Sequence, residues 1–204
     1  MKKSILTLTL IFLALLANAQ MNAGIKLGFN LSQIKFELDG DTKTSDMAAG
    51  VQIGGFVNFT VTETFSIQPE MLFSRFGGKQ SEYVEDIDED VTQTFKVDYL
   101  SVPVMLKFNV APNFNLQVGP EVGILVGANV KGEVFGQSVT VDAKDLFETF
   151  NFGLNGGLGF TYEKFGFDAR YFFGIANVVD DPEGGTQGRY RTFQFAISYR
   201  LTNN

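Results

Sequence analysis

Eight separate stretches of the chain alternate apolar and polar residues at period two, and this pattern limits the fold more than any other feature. Successive side chains of a β-strand point to opposite faces, so each stretch reads as a strand with one apolar and one polar face. The stretches cover 25–32, 51–59, 65–74, 99–109, 114–126, 152–161, 165–173 and 192–201. In the first, Ile25, Leu27, Phe29 and Leu31 oppose Lys26, Gly28, Asn30 and Ser32. In the seventh, Phe165, Phe167, Ala169, Tyr171 and Phe173 oppose Gly166, Asp168, Arg170 and Phe172. Each stretch supplies about 10 residues, the length that crosses a bilayer as a tilted strand, and an even count suits closure into a ring. Tight connections at 61–63, 111–113 and 163–164 alternate with long polar ones at 35–47, 78–94, 127–147 and 176–191. The spacing therefore predicts an all-β fold, an eight-stranded antiparallel up-and-down transmembrane β-barrel with four long extracellular loops and short periplasmic turns.

The first residues fit an exported protein. Lys2 and Lys3 precede an apolar run from Ile5 to Leu16, and Ala17-Asn18-Ala19 has the small-x-small form read by signal peptidase. That run is too short to cross a bilayer as a helix, which needs about 20 residues. We therefore expect residues 1–19 to be a cleaved signal peptide and residues 20–204 to form the barrel domain. Charge supports the same orientation without using hydropathy. The four long connections hold 16 acidic and 7 basic residues, whereas the strands and short turns after residue 19 hold 7 of each. The net charge thus gathers at one end. An acidic chain of this kind lacks the basic face that nucleic-acid phosphates require.

Composition removes much of catalytic chemistry. With no cysteine and no histidine, the chain cannot build a thiol nucleophile, a thiolate or imidazole metal site, or a Ser-His-Asp triad. No catalytic residue, cofactor site or metal site is expected. Strand parity instead places Lys26, Glu70, Lys107, Glu121, Asp168, Arg170 and Arg200 on the inward face, with Asp98 near a rim. Two readings compete for them: an ion path or acid–base pair, and a salt-bridge network filling the narrow lumen of an eight-stranded barrel. The lumen size favours the network. A second acidic group, Glu85, Asp86, Asp88, Glu89 and Asp90, superficially suggests a calcium loop but lacks the glycine and the distant glutamate of an EF-hand. It reads as a solvated extracellular loop, with bridging to lipopolysaccharide through divalent cations as the functional alternative. Pro69, Pro103 and Pro120 each remove a ladder donor inside a strand, which predicts bulges or local irregularity there.

Several runs carry a family resemblance. Residues 24–32 (GIKLGFNLS), 65–74 (FSIQPEMLFS), 98–103 (DYLSVP), Val118-Gly119-Pro120, 167–171 (FDARY) and the closing 193–201 (FQFAISYRL) resemble the PorT-like outer-membrane β-barrel family of Bacteroidota. The likeness spans nearly all of the chain after the leader. It implies an outer-membrane barrel, and the family's named member is associated with type IX secretion, a role that barrel similarity alone does not transfer. The expected function is that of a non-enzymatic integral outer-membrane protein, a scaffold or accessory component of an envelope or secretion complex. Its surroundings would be outer-membrane lipid and lipopolysaccharide, its partners envelope proteins. The alternative is a small channel or transporter for ions or small solutes. An enzyme acting on lipids and a soluble ligand-binding barrel are weaker readings.

Overall fold

The computed structural model describes residues 20–38, 41–84, 89–134, 137–180 and 185–202; the expected leader, 1–19, lies outside them. Ten strands run in chain order: β1 Gln20–Leu38, β2 Asp41–Thr44, β3 Ala48–Thr62, β4 Phe65–Val84, β5 Glu89–Ala111, β6 Phe114–Val134, β7 Gln137–Asp142, β8 Phe150–Tyr162, β9 Phe165–Gly174 and β10 Thr186–Arg200. Eight of them, β1, β3, β4, β5, β6, β8, β9 and β10, pair antiparallel with their neighbours, and β10 pairs with β1 from Gly24↔Arg200 to Leu38↔Thr186. That last pairing closes the ring. Backbone N–H and C=O groups in hydrocarbon have no water to bond, so closure gives partners to a row of groups that an open edge would strand.

Side-chain placement is the inverse of a soluble domain. Leu27, Ile53, Met71, Val122, Leu154 and Phe195 lie exposed on the outer face, while Lys26, Asn30, Gln52, Glu70, Gln117 and Arg170 are buried inside. Their register neighbours alternate as parity requires. Pairs of rings, Phe65 with Phe108 and Phe165 with Tyr199, stand on the outer surface beside the tight turns, with centroids 5.1 and 5.2 Å apart. Two of these turns hold a non-glycine residue at positive φ, Asn113 at 66° and Glu163 at 53°.

The long connections differ from expectation in one respect. They are mostly ladder: the β4–β5 pairing continues to Val84↔Glu89, β2 adds to β1, and β7 adds to β6 from Asn129↔Asp142 to Val134↔Gln137. Above the apolar belt the outer face of a strand meets water instead of lipid, so the alternation in hydropathy weakens while β-formers such as Val91-Thr92 and Phe95 still pair. Phe147, after β7, and Val178, after β9, turn inward and are buried over this end of the barrel, joined through Glu148 N–H to Val178 O at 3.0 Å.

The prolines bring the local irregularity expected of them, but no bulge. No register shift falls at Pro69, Pro103 or Pro120; the shifts lie at Thr60/Thr62, Asp98/Tyr99 and Asn109/Ala111. Each proline instead costs paired positions on one side only. The ladder skips Val57 opposite Pro69, Glu70 opposite Pro103 and Val104 opposite Pro120, then resumes in the same register. A proline lacks a donor but adds no residue, so pairing lapses without slipping. Among the described residues the one bulge inside the wall, away from the turns, is Val126, which has no opposite number between Asp98↔Gly127 and Tyr99↔Leu125.

The inside-out distribution makes a direct prediction. Val122→Arg, on the outer face of β6, should cost about 2 to 4 kcal/mol in urea titrations of the barrel in lipid vesicles. Val141→Arg, on β7 above the belt, should cost about 1 kcal/mol or less in the same measurement.

Candidate functional site

Five strands send charged or amide side chains to one point in the lumen. Lys26 of β1 follows from the alternation Ile25, Leu27, Phe29, which commits its neighbours to the interior; the same parity turns Glu70, Lys107, Gln117, Asp168 and Arg170 inward. Lys26 Nζ lies 2.7 Å from Glu70 Oε1 and 2.7 Å from Asp168 Oδ2. The Arg170 guanidinium donates to both oxygens of Glu70, at 3.0 and 2.7 Å, and to Asp168 Oδ2 at 3.2 Å. Gln117 links the two sides, accepting from Arg170 Nε at 2.9 Å and donating to Asp168 Oδ1 at 2.6 Å. Two cations and two carboxylates therefore share every contact. The side chains of Glu70 and Lys26 are 0% and 1% exposed, so water contributes nothing to their solvation.

Lys107 sits at the edge of this cluster. Its Nζ donates to Gln68 Oε1 at 2.9 Å and stands 4.0 Å from Asp168 Oδ1, and Gln68 in turn donates to Glu70 Oε1 at 2.7 Å. Glu121 lies apart. It accepts from Asn155 Nδ2 at 2.7 Å and has no ion-pair partner among the described residues.

Above the cluster, towards the long connections, the lumen is filled by rings. Phe76 packs against Tyr99, Phe172 and Tyr190 with centroids 5.8, 5.5 and 5.2 Å apart, and all four side chains are buried. Ile34, Val97 and Leu125 complete this plug. Glycines on facing strands make the space: a Cβ at Gly153 would fall 2.5 Å from the Phe172 ring, and one at Gly123 would fall 3.2 Å from Tyr99. Below the cluster, towards the tight turns, a polar vestibule of about 630 Å³ opens outward, with Lys107 and Asp168 at its blind end.

The structure redistributes the residues expected in the lumen. It brings together Lys26, Glu70, Lys107, Asp168 and Arg170, and it places Arg200 in the vestibule wall near the mouth. Asp98 is a correction. It pairs with Arg75, from Nε to Oδ1 at 2.6 Å and from Nη2 to Oδ2 at 2.8 Å, on the face opposite the lumen residues Phe76 and Val97. The Val126 bulge on β6 lies beside this pair, and Asp98 and Tyr99 remain on opposite faces. Of the acidic group, Glu85, Asp86 and Asp88 lie outside the described residues, and Glu89 and Asp90 enter only as backbone at the start of β5. The plug was missed from sequence because Phe76 and Tyr190 lie at the ends of the alternating runs. Extending the inward parity by one step, from Ser74 to Phe76 and from Thr192 to Tyr190, finds both.

Comparison with known protein families agrees with this architecture. A family model described as an outer membrane protein beta-barrel domain matches residues 17–180. Among solved structures the chain is similar to Ail, the attachment invasion locus protein of Yersinia pestis, at 16% identity and a TM-score of 0.44, covering 89% of this chain and 99% of that one. It is similar to Neisserial surface protein A at 9% identity and a TM-score of 0.49, covering 87% and 97%. It is also similar to OprG from Pseudomonas aeruginosa at 10% identity and a TM-score of 0.40, covering 91% and 98%. The comparison with curated proteins gave no match. No helix among the described residues is long and apolar enough to cross a membrane.

The shared contacts predict unequal mutational costs. Glu70→Gln leaves Lys26 and Arg170 with one carboxylate between them and should destabilise the barrel by roughly 3 to 5 kcal/mol in urea unfolding. Lys107→Met leaves both carboxylates paired and should change stability by about 1 kcal/mol or less in the same assay.

Proposed function

The chain belongs to the outer membrane protein beta-barrel domain family and resides in the outer membrane, and from that premise we propose that it is a non-enzymatic scaffold, an accessory component of an envelope or secretion complex. One observation carries the proposal. The ion cluster and the aromatic plug occupy the lumen in series, so the barrel offers solutes no continuous polar path. An eight-stranded barrel has room for little beyond its own side chains, and here those side chains are mutually bonded. The surfaces left for function are the strands that rise beyond the membrane. Among the described residues β7, with Val139 and Val141 exposed, pairs on one side only, with β6, and a strand edge of this kind suits addition of a partner's strand.

The surfaces that rise beyond the membrane lead us to envelope proteins as its partners. The absence of histidine and cysteine supports the non-enzymatic reading, since the usual nucleophile–base pairs cannot be built. The channel reading would need the cluster and the plug to part.

Two measurements test this. In planar bilayers the folded protein should give no discrete conductance steps; reproducible unitary openings would replace the scaffold reading with the channel. Gentle solubilisation of native outer membranes followed by mass spectrometry should recover a constant set of envelope proteins with the barrel. Recovery of the barrel alone would remove the accessory role.

A further inference from the structure

The vestibule below the ion cluster has properties that the scaffold role does not use. It is a blind cavity of about 630 Å³ that opens at the tight-turn, periplasmic end, within the range of roughly 300 to 1,000 Å³ typical of small-molecule sites. Its wall is polar: Asn58, Asn115 and Ser198 are among the amides and hydroxyls that line it. Its charge is positive in an otherwise acidic protein. Lys107 stands at the blind end, and Lys164 and Arg200 stand in the wall near the mouth.

Two of these cations, Lys164 and Arg200, are not committed elsewhere. Lys164 and Arg200 have no carboxylate within ion-pair distance among the described residues. Of the two acidic residues in the wall, Asp168 is taken up by Lys26 at 2.7 Å and by Arg170 at 3.2 Å, with Lys107 more distant at 4.0 Å, which leaves Glu63 at the rim as the carboxylate free to oppose an anion. Low-dielectric walls around a charged cleft focus its field on the opening. The turns bring the three cations into one cavity from strands far apart in the chain: Lys107 from β5, Lys164 from the β8–β9 turn and Arg200 from the end of β10.

We infer that the vestibule binds a small anionic solute from the periplasm, its carboxylate or phosphate held between Lys107 and the pair Lys164 and Arg200, its polar body against the amide-lined wall. Nothing needs to cross the barrel for this, because the ion cluster forms the floor of the site. Binding here is independent of the scaffold reading.

The test uses the folded chain from Gln20 onward in detergent micelles, titrated by calorimetry at low ionic strength with citrate in one arm and glucose 6-phosphate in the other. Saturable binding in either arm supports the site, and the arm that binds names the head group. Affinity should fall as salt is raised, by the screening of surface charge. A Lys164→Gln, Arg200→Gln double variant, altered only at the periplasmic end, should bind about tenfold more weakly, a loss of about 1.4 kcal/mol. Glu63→Gln should bind more tightly. Absence of saturable binding in both arms overturns the inference, as does binding that ignores salt or the double variant. The salt series on the unmutated protein decides the matter if a variant fails to fold.

Discussion

The pairing of β10 with β1 is the constraint on which the rest depends. It turns a sheet into a ring, and in hydrocarbon that step removes the unbonded edge. Once the ring is closed the two faces of every strand have opposite solvents. The outer face must be apolar, and the inner face encloses a narrow space that its own side chains largely fill. Period-two alternation is the direct consequence. It also explains why the interior holds charge at all: polar residues placed inside an eight-stranded ring must satisfy one another.

The ion cluster is one solution to that demand. Lys26, Glu70, Asp168 and Arg170 each touch two opposite charges, and Gln68 and Gln117 take up remaining donors and acceptors. Buried ion pairs often add little net stability, because desolvation offsets their attraction. Their effect here is on access. The cluster divides the lumen into an aromatic upper half and a polar vestibule, and the upper half is covered again by Phe147 and Val178. The proline seam runs across the same side of the barrel, where Glu70, Pro103 and Glu121 meet in register; the ladder is thinnest beside the most heavily bonded side chains.

Much of this was legible in the sequence, for a physical reason. Alternation within the bilayer is enforced by solvent, so Lys26 between Ile25 and Leu27 declares its direction. Glu70, Asp168 and Arg170 do so equally plainly. Legibility fails where the solvent contrast fails. Beyond the apolar belt polar strands look like loops, which hid the rise of β4 and β5, the added strand β7 and the inward turn of Tyr190. Asp98 was misplaced although alternation with the inward Tyr99 and Ser101 already turned it outward, where its register partner Arg75 meets it. The convergence of Lys107, Lys164 and Arg200 was hidden too, since it depends on register around the whole ring.

The central claim is that the ion cluster seals the lumen between vestibule and plug. Because the chain contains no native cysteine, single cysteines report accessibility cleanly. Ser198→Cys, in the vestibule wall, and Ser101→Cys, on the plug side of the cluster and 0% exposed, would be placed in the folded barrel in detergent micelles and treated with a charged thiol reagent. The account predicts rapid labelling at position 198 and none at position 101 until the protein is unfolded. Labelling of both at similar rates would contradict it.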